Sequence, residues 1–129
     1  MNKILVEVSV GELLDKISIL EIKKEKIQDP EKLKFINDEY EVLKDQLDKN
    51  IKSDEKIDKL FQSLKEINAK LWIIEDNKRL CEKNSDFSEK FIRLSRDVHF
   101  LNDDRAKIKL EINRHTGSKI KEIKKYTTY

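Results

Sequence analysis

The chain has 129 residues, of which 42% are charged and 37% hydrophobic, with only two glycines and one proline. This composition is typical of long helices and disfavours a loop-rich β protein. The 28 basic and 26 acidic residues leave a net charge of +2, and both signs alternate along the chain. We therefore expect a single helical domain over residues 1–129. Nucleic acid is disfavoured as a partner, because no concentrated basic stripe appears.

Nothing in the sequence indicates a membrane span or an export signal. The longest apolar runs cover only a few residues, whereas a helix that crosses a bilayer needs roughly 20. The N-terminus lacks the long apolar segment of a signal peptide, and the single cysteine, Cys81, cannot form a disulfide within the chain. We therefore expect no membrane insertion and a cytoplasmic location.

A short stretch at the N-terminus has the pattern of an extended segment. Ile4, Val6 and Val8 recur with a period of two, which predicts a short strand or an extended arm. A strand needs a partner, and no second β segment is evident in the sequence. The stretch would therefore pair with its copy in a dimer, or pack on the helices as an arm.

Four amphipathic helices follow this stretch, with predicted ranges of 10–28, 31–49, 54–83 and 87–116. Ser9 and Glu12 form a capping box at the start of the first helix, and Pro30 separates the first helix from the second. The predicted fold class is all-α. We expect an antiparallel bundle of about four helices, two shorter ones and then two long ones.

The fourth helix has the most regular pattern in the chain. Asp86 and Glu89 have the spacing of a second capping box before it, Gly117 is the expected cap after it, and a short turn is predicted over 119–125. Heptads occur in helix bundles within one chain and in coiled coils between chains. We expect the seam of the long helices to associate, which predicts a homo-oligomer or a protein partner. The heptad positions of the helix are Phe87, Phe91, Leu94, Val98, Leu101, Arg105, Ile108, Ile112 and His115.

One of these heptad positions is charged. Arg105 stands where the spacing favours an apolar residue. Because burying a guanidinium without a partner is very costly, Arg105 must meet a carboxylate, reach water or bind an anionic ligand. Asn102, Lys109 and Asn113 share its face at helical steps of three and four, which predicts a row of donors.

The first and third helices carry charged clusters that could complement Arg105. One interpretation is a salt-bridge network that fixes the register of the helices, and the others are a ligand pocket and a partner-binding surface. Trp72, between charged residues, suits either a second packing face or a protein contact. The candidate polar site comprises Glu12, Asp15, Lys16, Trp72, Glu75, Asp76, Arg79, Asn102, Asp103, Arg105, Lys109 and Asn113.

The sequence contains no decisive catalytic or metal signature. His99 and His115 lack the glutamate three residues earlier that di-iron helical bundles use. The chain has too few glycines for a phosphate-binding loop. We therefore expect no metal and no cofactor, assign no catalytic residue, and favour a non-enzymatic role while leaving an enzyme open.

Three stretches together resemble a family of small, uncharacterised bacterial helical proteins that share a domain of unknown function. The resemblance implies a set of distinctive residues that largely coincides with the candidate polar site. These residues are Gly11, Glu12, Asp15, Lys16, Leu71, Trp72, Glu75, Asp76, Asn102, Asp103, Arg105, Ala106, Lys109 and Asn113. The resemblance also implies an association with genes for glycosyltransferases or surface polysaccharide. Val10 and His99 depart from the family pattern. The three stretches are VSVGELLDKISILEIKKEKIQDPEKL, LWIIEDNKRLCEKNSDFSEKFIRLSRDVHFLNDDRAKIKLEIN and GSKIKEIKKY.

Two functional hypotheses follow from the sequence. The first is a non-enzymatic interaction or accessory module that associates with itself through a seam of the long helices. The alternative is a small enzyme or binding protein for an anionic metabolite, such as a phosphorylated sugar or a nucleotide sugar. In that case Arg105 and Lys109 would clamp the anion, and Glu12 or Asp76 would act as acid, base or Mg²⁺ ligand.

Overall fold

A computed structural model describes residues 2–120, 123–125 and 127–128. These residues form an all-α fold with the helices α1 (Val10–Lys26), α2 (Pro30–Asn50), α3 (Glu55–Lys83) and α4 (Glu89–Thr116). The predicted fold class, with two shorter helices before two long ones, is confirmed. The turn predicted over 119–125 includes residues 121 and 122, which lie outside the described residues.

The first helix begins and the last helix ends at the predicted caps. The hydroxyl of Ser9 accepts a hydrogen bond from the backbone N–H of Glu12 at 3.1 Å. After α4, Gly117 adopts the left-handed conformation with φ +67°, which glycine tolerates best. The cap of α3 is Asp54, whose carboxylate accepts from the N–H of Ile57 at 2.8 Å.

The start of α4 differs from the prediction by two residues, 89 in place of 87. The carboxylate of Asp86 does not cap the helix. It accepts from the backbone N–H of Ser88 at 3.1 Å and from the hydroxyl of Ser88 at 2.6 Å. This local turn holds Phe87 outside the helix, because the side chain of Asp86 satisfies a loop N–H in place of a helical one.

The N-terminal stretch, residues 2–8, is exposed and forms no strand with any described part of the chain. A single alternating segment has no second backbone to bond with, so its period of two cannot by itself produce a strand. An arm, or a strand paired with a second copy, stays a prediction.

The helix α1 lies at the centre of the packing. It contacts α2, α3 and α4, and α3 and α4 pair with each other as a long antiparallel hairpin. The buried core cluster comes from α1, α3 and α4 and comprises Leu14, Ile57, Leu64 and Ile112. Among the described helices, the backbone of α2 approaches that of α1 alone.

The α3–α4 hairpin extends past the end of α1. With 17 residues against 29 in α3, α1 is shorter than α3 by about 18 Å at 1.5 Å per residue. Within the heptad seam of α4, Ile112 is buried, whereas Val98 and Leu101 are only half-buried. Part of this seam is therefore accessible to solvent. None of the described helices combines the length and the apolar character needed to span a bilayer.

Candidate functional site

An ion pair between α1 and α4 accounts for the charge at Arg105. Nε of Arg105 donates to Oδ1 of Asp15 at 2.9 Å, and Nη2 donates to Oδ2 of the same carboxylate. Such two-point pairing between a guanidinium and a carboxylate is strong and directional. Asp15 is only 1% exposed, whereas the side chain of Arg105 retains 27% exposure. Of the partners expected for Arg105, the structure therefore shows a carboxylate.

Two opposing effects set the pKa of Asp15. Burial disfavours the charged form and acts to raise the pKa of this carboxyl. Hydrogen bonds from Arg105 and Asn68, together with the charges of Arg105 and Lys109, outweigh the burial and lower the pKa of Asp15 below its ordinary 3.8. Asp15 is therefore a carboxylate at neutral pH, and its negative charge lies beside the cations Arg105 and Lys109 of α4.

A second ion pair lies one turn away on the same two helices. Nζ of Lys109 donates to Oε2 of Glu12 at 2.7 Å and lies 3.9 Å from Oδ2 of Asp15. Lys109 is buried, and Glu12 keeps about a third of its side chain exposed. The two helices thus hold two cations of α4 against two carboxylates of α1.

The close approach of α1 to α4 depends on Gly11. Its backbone N–H donates to Oδ1 of Asn113 at 2.7 Å. A Cβ atom at this position would lie 2.5 Å from the carbonyl oxygen of Lys109 and 3.0 Å from Oδ1 of Asn113. Since real Cβ atoms do not approach a backbone oxygen so closely, glycine allows the two helices to meet here.

Two residues of this network were not predicted from the sequence. Nδ2 of Asn68 donates to Oδ1 of Asp15 at 2.9 Å and to the hydroxyl of Ser18 at 2.8 Å. The hydroxyl of Ser18 donates to the backbone carbonyl of Asp15 at 2.7 Å. A signal was present, because Asn68 stands between Leu64 and Leu71 at the spacing of core positions.

The predicted row of donors on α4 is partly wrong. Oδ1 of Asn102 accepts from Nη1 of Arg105 at 3.3 Å, and Asn113 also accepts, from Gly11. Both asparagines use their carbonyl oxygens because their partners here are N–H groups. Among the described residues, no buried side-chain nitrogen or oxygen lacks a hydrogen-bond partner. Every buried polar side-chain atom of the network therefore has a hydrogen-bond partner.

An open groove of about 320 Å³ adjoins this network beside the second half of α1. Apolar side chains of α1 and α3 form its floor, and a polar stripe of α3 follows its edge. Arg105 contributes to both the groove and the network. We call this groove the Trp72 groove. Its lining residues are Ile19, Ile22, Asn68, Leu71, Trp72, Glu75, Asp76, Arg79 and Arg105.

The charged residues on α3 at this groove differ from those of the network. Glu75, Asp76 and Arg79 are exposed, and none of them forms a hydrogen bond or an ion pair with another residue in the described part of the chain. Glu75 and Arg79 have the spacing of a helical ion pair but do not form one. The groove therefore offers charges of both signs that have no partner among the described residues.

The predicted site residues thus fall into two neighbouring groups. Glu12, Asp15, Asn102, Arg105, Lys109 and Asn113 belong to the network, and Trp72, Glu75, Asp76 and Arg79 belong to the groove. Lys16 is exposed and lies 3.9 Å from Glu12, outside the groove. Asp103 is half-buried on α4 and does not line the groove. No three His, Cys, Asp or Glu side chains among the described residues are grouped so that they could hold a metal ion.

Comparison with known proteins places nearly the whole chain in one family. A family of unknown function (DUF6165) matches residues 4–129. The chain belongs to this family. No curated protein and no solved structure matches it. The resemblance seen in the sequence is thereby confirmed at the level of the family, and membership assigns no activity.

Proposed function

We propose that this protein is a non-enzymatic interaction module that binds a segment of a partner protein in the Trp72 groove. One observation carries the proposal: an apolar floor lies next to Trp72 and to charges of both signs that have no partner among the described residues. A protein segment can supply apolar and charged side chains together. Tryptophan in a partly enclosed site is also among the residues that contribute most to protein–protein binding energy.

The alternative, an anionic metabolite, has less support from the same geometry. Arg105 and Lys109 are already paired with Asp15 and Glu12. A phosphate would have to displace these carboxylates, and breaking a buried ion pair is costly. Arg79 does face the groove, but Glu75 and Asp76 beside it would repel an anion.

A bacterial setting and a partner from polysaccharide assembly are proposed from the resemblance to the family, and a cytoplasmic location is proposed from the amino-acid sequence. Self-association through the long helices is supported by the half-buried seam of α4, where Val98 and Leu101 remain accessible to solvent.

Site-specific photo-crosslinking in host cells tests the groove. A photoreactive amino acid replaces Asp76 at the groove, and in a matched control it replaces Asp38, an exposed aspartate of α2. We expect one defined protein to be crosslinked from position 76 and not from position 38. Trp72→Ala should weaken binding of the identified partner by about 30-fold, which corresponds to a loss of about 2 kcal/mol at an interface hot spot.

Three results would contradict the proposal. The first is the same crosslinked proteins from both positions, and the second is a partner whose affinity is unchanged by Trp72→Ala in a folded variant. The third is a thermal shift produced by a phosphorylated sugar that disappears in Arg79→Ala. That outcome would favour the anionic metabolite instead.

A further inference from the structure

A second apolar surface lies on the side of the α3–α4 hairpin opposite the Trp72 groove. Ile73 and Ile74 of α3 and Phe100 and Leu101 of α4 line a depression of about 410 Å³ there. An adjoining depression on α4 includes Ile92 and shares Phe100 with the first. Ile73 is 51% exposed and Ile92 is 54% exposed. We call this surface the Ile73 face.

Helical geometry places this face away from α1. At 100° per residue, the midpoint between Ile73 and Ile74 lies roughly 160° around α3 from the centre of the stripe that runs from Trp72 to Arg79. Neither α1 nor α2 contributes a residue to the depression. The exposed apolar side chains are therefore on a surface that the described helices of one chain do not cover.

Two charges stand on opposite walls of the depression. Lys70 belongs to the α3 wall and Asp97 to the α4 wall. Neither forms an ion pair or a hydrogen bond with another described residue. A surface with a cation on one wall and an anion on the other is complementary to itself, because a two-fold axis along the depression exchanges the walls.

We infer that the Ile73 face is the contact between two copies of this chain, with Lys70 of each copy paired with Asp97 of the other. The inference rests on the proposed self-association and names its surface and its charge pairs. The apolar side chains supply the buried area, and the two ion pairs fix the orientation of the copies. Only a few side chains of each copy form the contact, so we expect a weak dimer, with a Kd on the order of 10 µM.

Charge reversal tests this arrangement in the full-length chain, with sedimentation velocity over a wide concentration range as the measurement. Each single reversal, Lys70→Glu or Asp97→Lys, places like charges together in both of the intermolecular pairs formed by residues 70 and 97. Each should therefore weaken the dimer at least about tenfold. Mixing the two single variants should restore a dimer, because each heterodimer regains both opposite-charge pairs. The double variant should also associate like the wild type.

Matched reversals on α2 serve as the control. Lys34→Glu and Asp38→Lys change the same residue types at exposed positions and should leave association unchanged. Ile73→Asp is a second probe of the apolar contact, and circular dichroism of every variant verifies the fold. Because Ile73 is largely exposed in one chain, this substitution should abolish the dimer and leave the helix content intact.

The outcomes separate the inference from the proposal on which it depends. A wild-type chain that stays monomeric at every concentration overturns self-association itself. A wild-type dimer that tolerates both single reversals, and shows no preference for the mixed pair, keeps self-association but overturns the Ile73 face. Neither result bears on the partner bound in the Trp72 groove.

Discussion

At the scale of single residues, Asp15 holds the cationic side chains of α4 in the interior. Replacing it with asparagine keeps the volume but removes the charge that neutralises Arg105 and Lys109. Breaking one side of a buried ion pair leaves a buried charge uncompensated, so we expect Asp15→Asn to lower the free energy of unfolding by about 3 kcal/mol. Urea denaturation at neutral pH measures this difference.

The matched control for that substitution is Asp38→Asn. Asp38 is exposed on α2 and forms no ion pair with a described residue, so its loss should change the free energy of unfolding by no more than about 0.5 kcal/mol. If Asp15→Asn were as mild as the control, the network would contribute to register without contributing to stability.

The pH dependence of stability follows from the direction of the Asp15 pKa shift. Its pKa is lowered in the folded chain, so its stabilising effect is complete above the ordinary value of 3.8 and is lost as the pH falls below that value through the folded pKa. Glu25, Asp54 and Asp86 also have lowered pKa values, and their contributions change in the same range. The gap in unfolding free energy between wild type and Asp15→Asn isolates Asp15. We expect this gap to be constant near neutrality and to shrink in acid; a gap that widens in acid would show the opposite shift.

Pattern in the sequence was sufficient to find Arg105 and insufficient to find all of its neighbours. A cation at a core position conflicts with a regular heptad, and that conflict is visible without a structure. Asn68 and Ser18 give a weaker signal, because burying a neutral amide or hydroxyl costs much less than burying a charge. Whether Glu75 and Arg79 form an ion pair depends on rotamers and solvent, which their spacing does not determine.

At the scale of elements, the distance between α1 and α4 at their crossing depends on the absence of a side chain at Gly11. Alanine normally stabilises a helix by up to about 1 kcal/mol relative to glycine. At Gly11 the added Cβ would lie 2.5 Å from the carbonyl oxygen of Lys109. We therefore expect Gly11→Ala to destabilise the fold by about 1–3 kcal/mol, since packed helices must separate to admit it.

Thermal unfolding with a control in α3 checks that expectation. Ser63 is exposed in the middle of α3, so Ser63→Ala should stabilise the chain slightly through helix propensity alone. A Gly11→Ala variant that also gained stability would mean that α1 and α4 approach each other less closely than the structure shows.

Helix starts could be predicted where a residue favours a helix start and little else. The hydroxyl of Ser9 caps the first turn of α1, and the fixed φ of Pro30 suits the first turn of α2. The structure places both helix starts there. Asp86 could cap a helix or a loop with the same carboxylate, and the sequence does not distinguish the two. The position of α2 could not be predicted either, because an amphipathic pattern indicates that a face is covered without indicating which helix covers it.

At the scale of the whole molecule, the four helices differ in how firmly they are held. Gly11, Leu14, Asp15, Ile17, Ser18, Leu20 and Ile22 of α1 are buried, whereas none of the described residues of α2, Pro30–Asn50, is buried. The backbone of α2 approaches α1 alone among the described helices, and it adds only partly buried side chains such as Leu47 to the core cluster. A helix with so little buried surface can open while the rest of the fold stays intact.

Native-state hydrogen exchange tests this difference. We expect the amides of α2 to exchange through a local opening, at least about tenfold faster than those of α1 around Leu14 and Ile17, because opening α2 exposes much less apolar surface than unfolding the core. A low concentration of urea should hardly change the α2 rates and should strongly accelerate those of α1, since the urea dependence follows the surface exposed. Equal rates and equal urea dependence for both helices would mean that α2 unfolds only together with the core, and that its half-buried face stabilises the whole molecule.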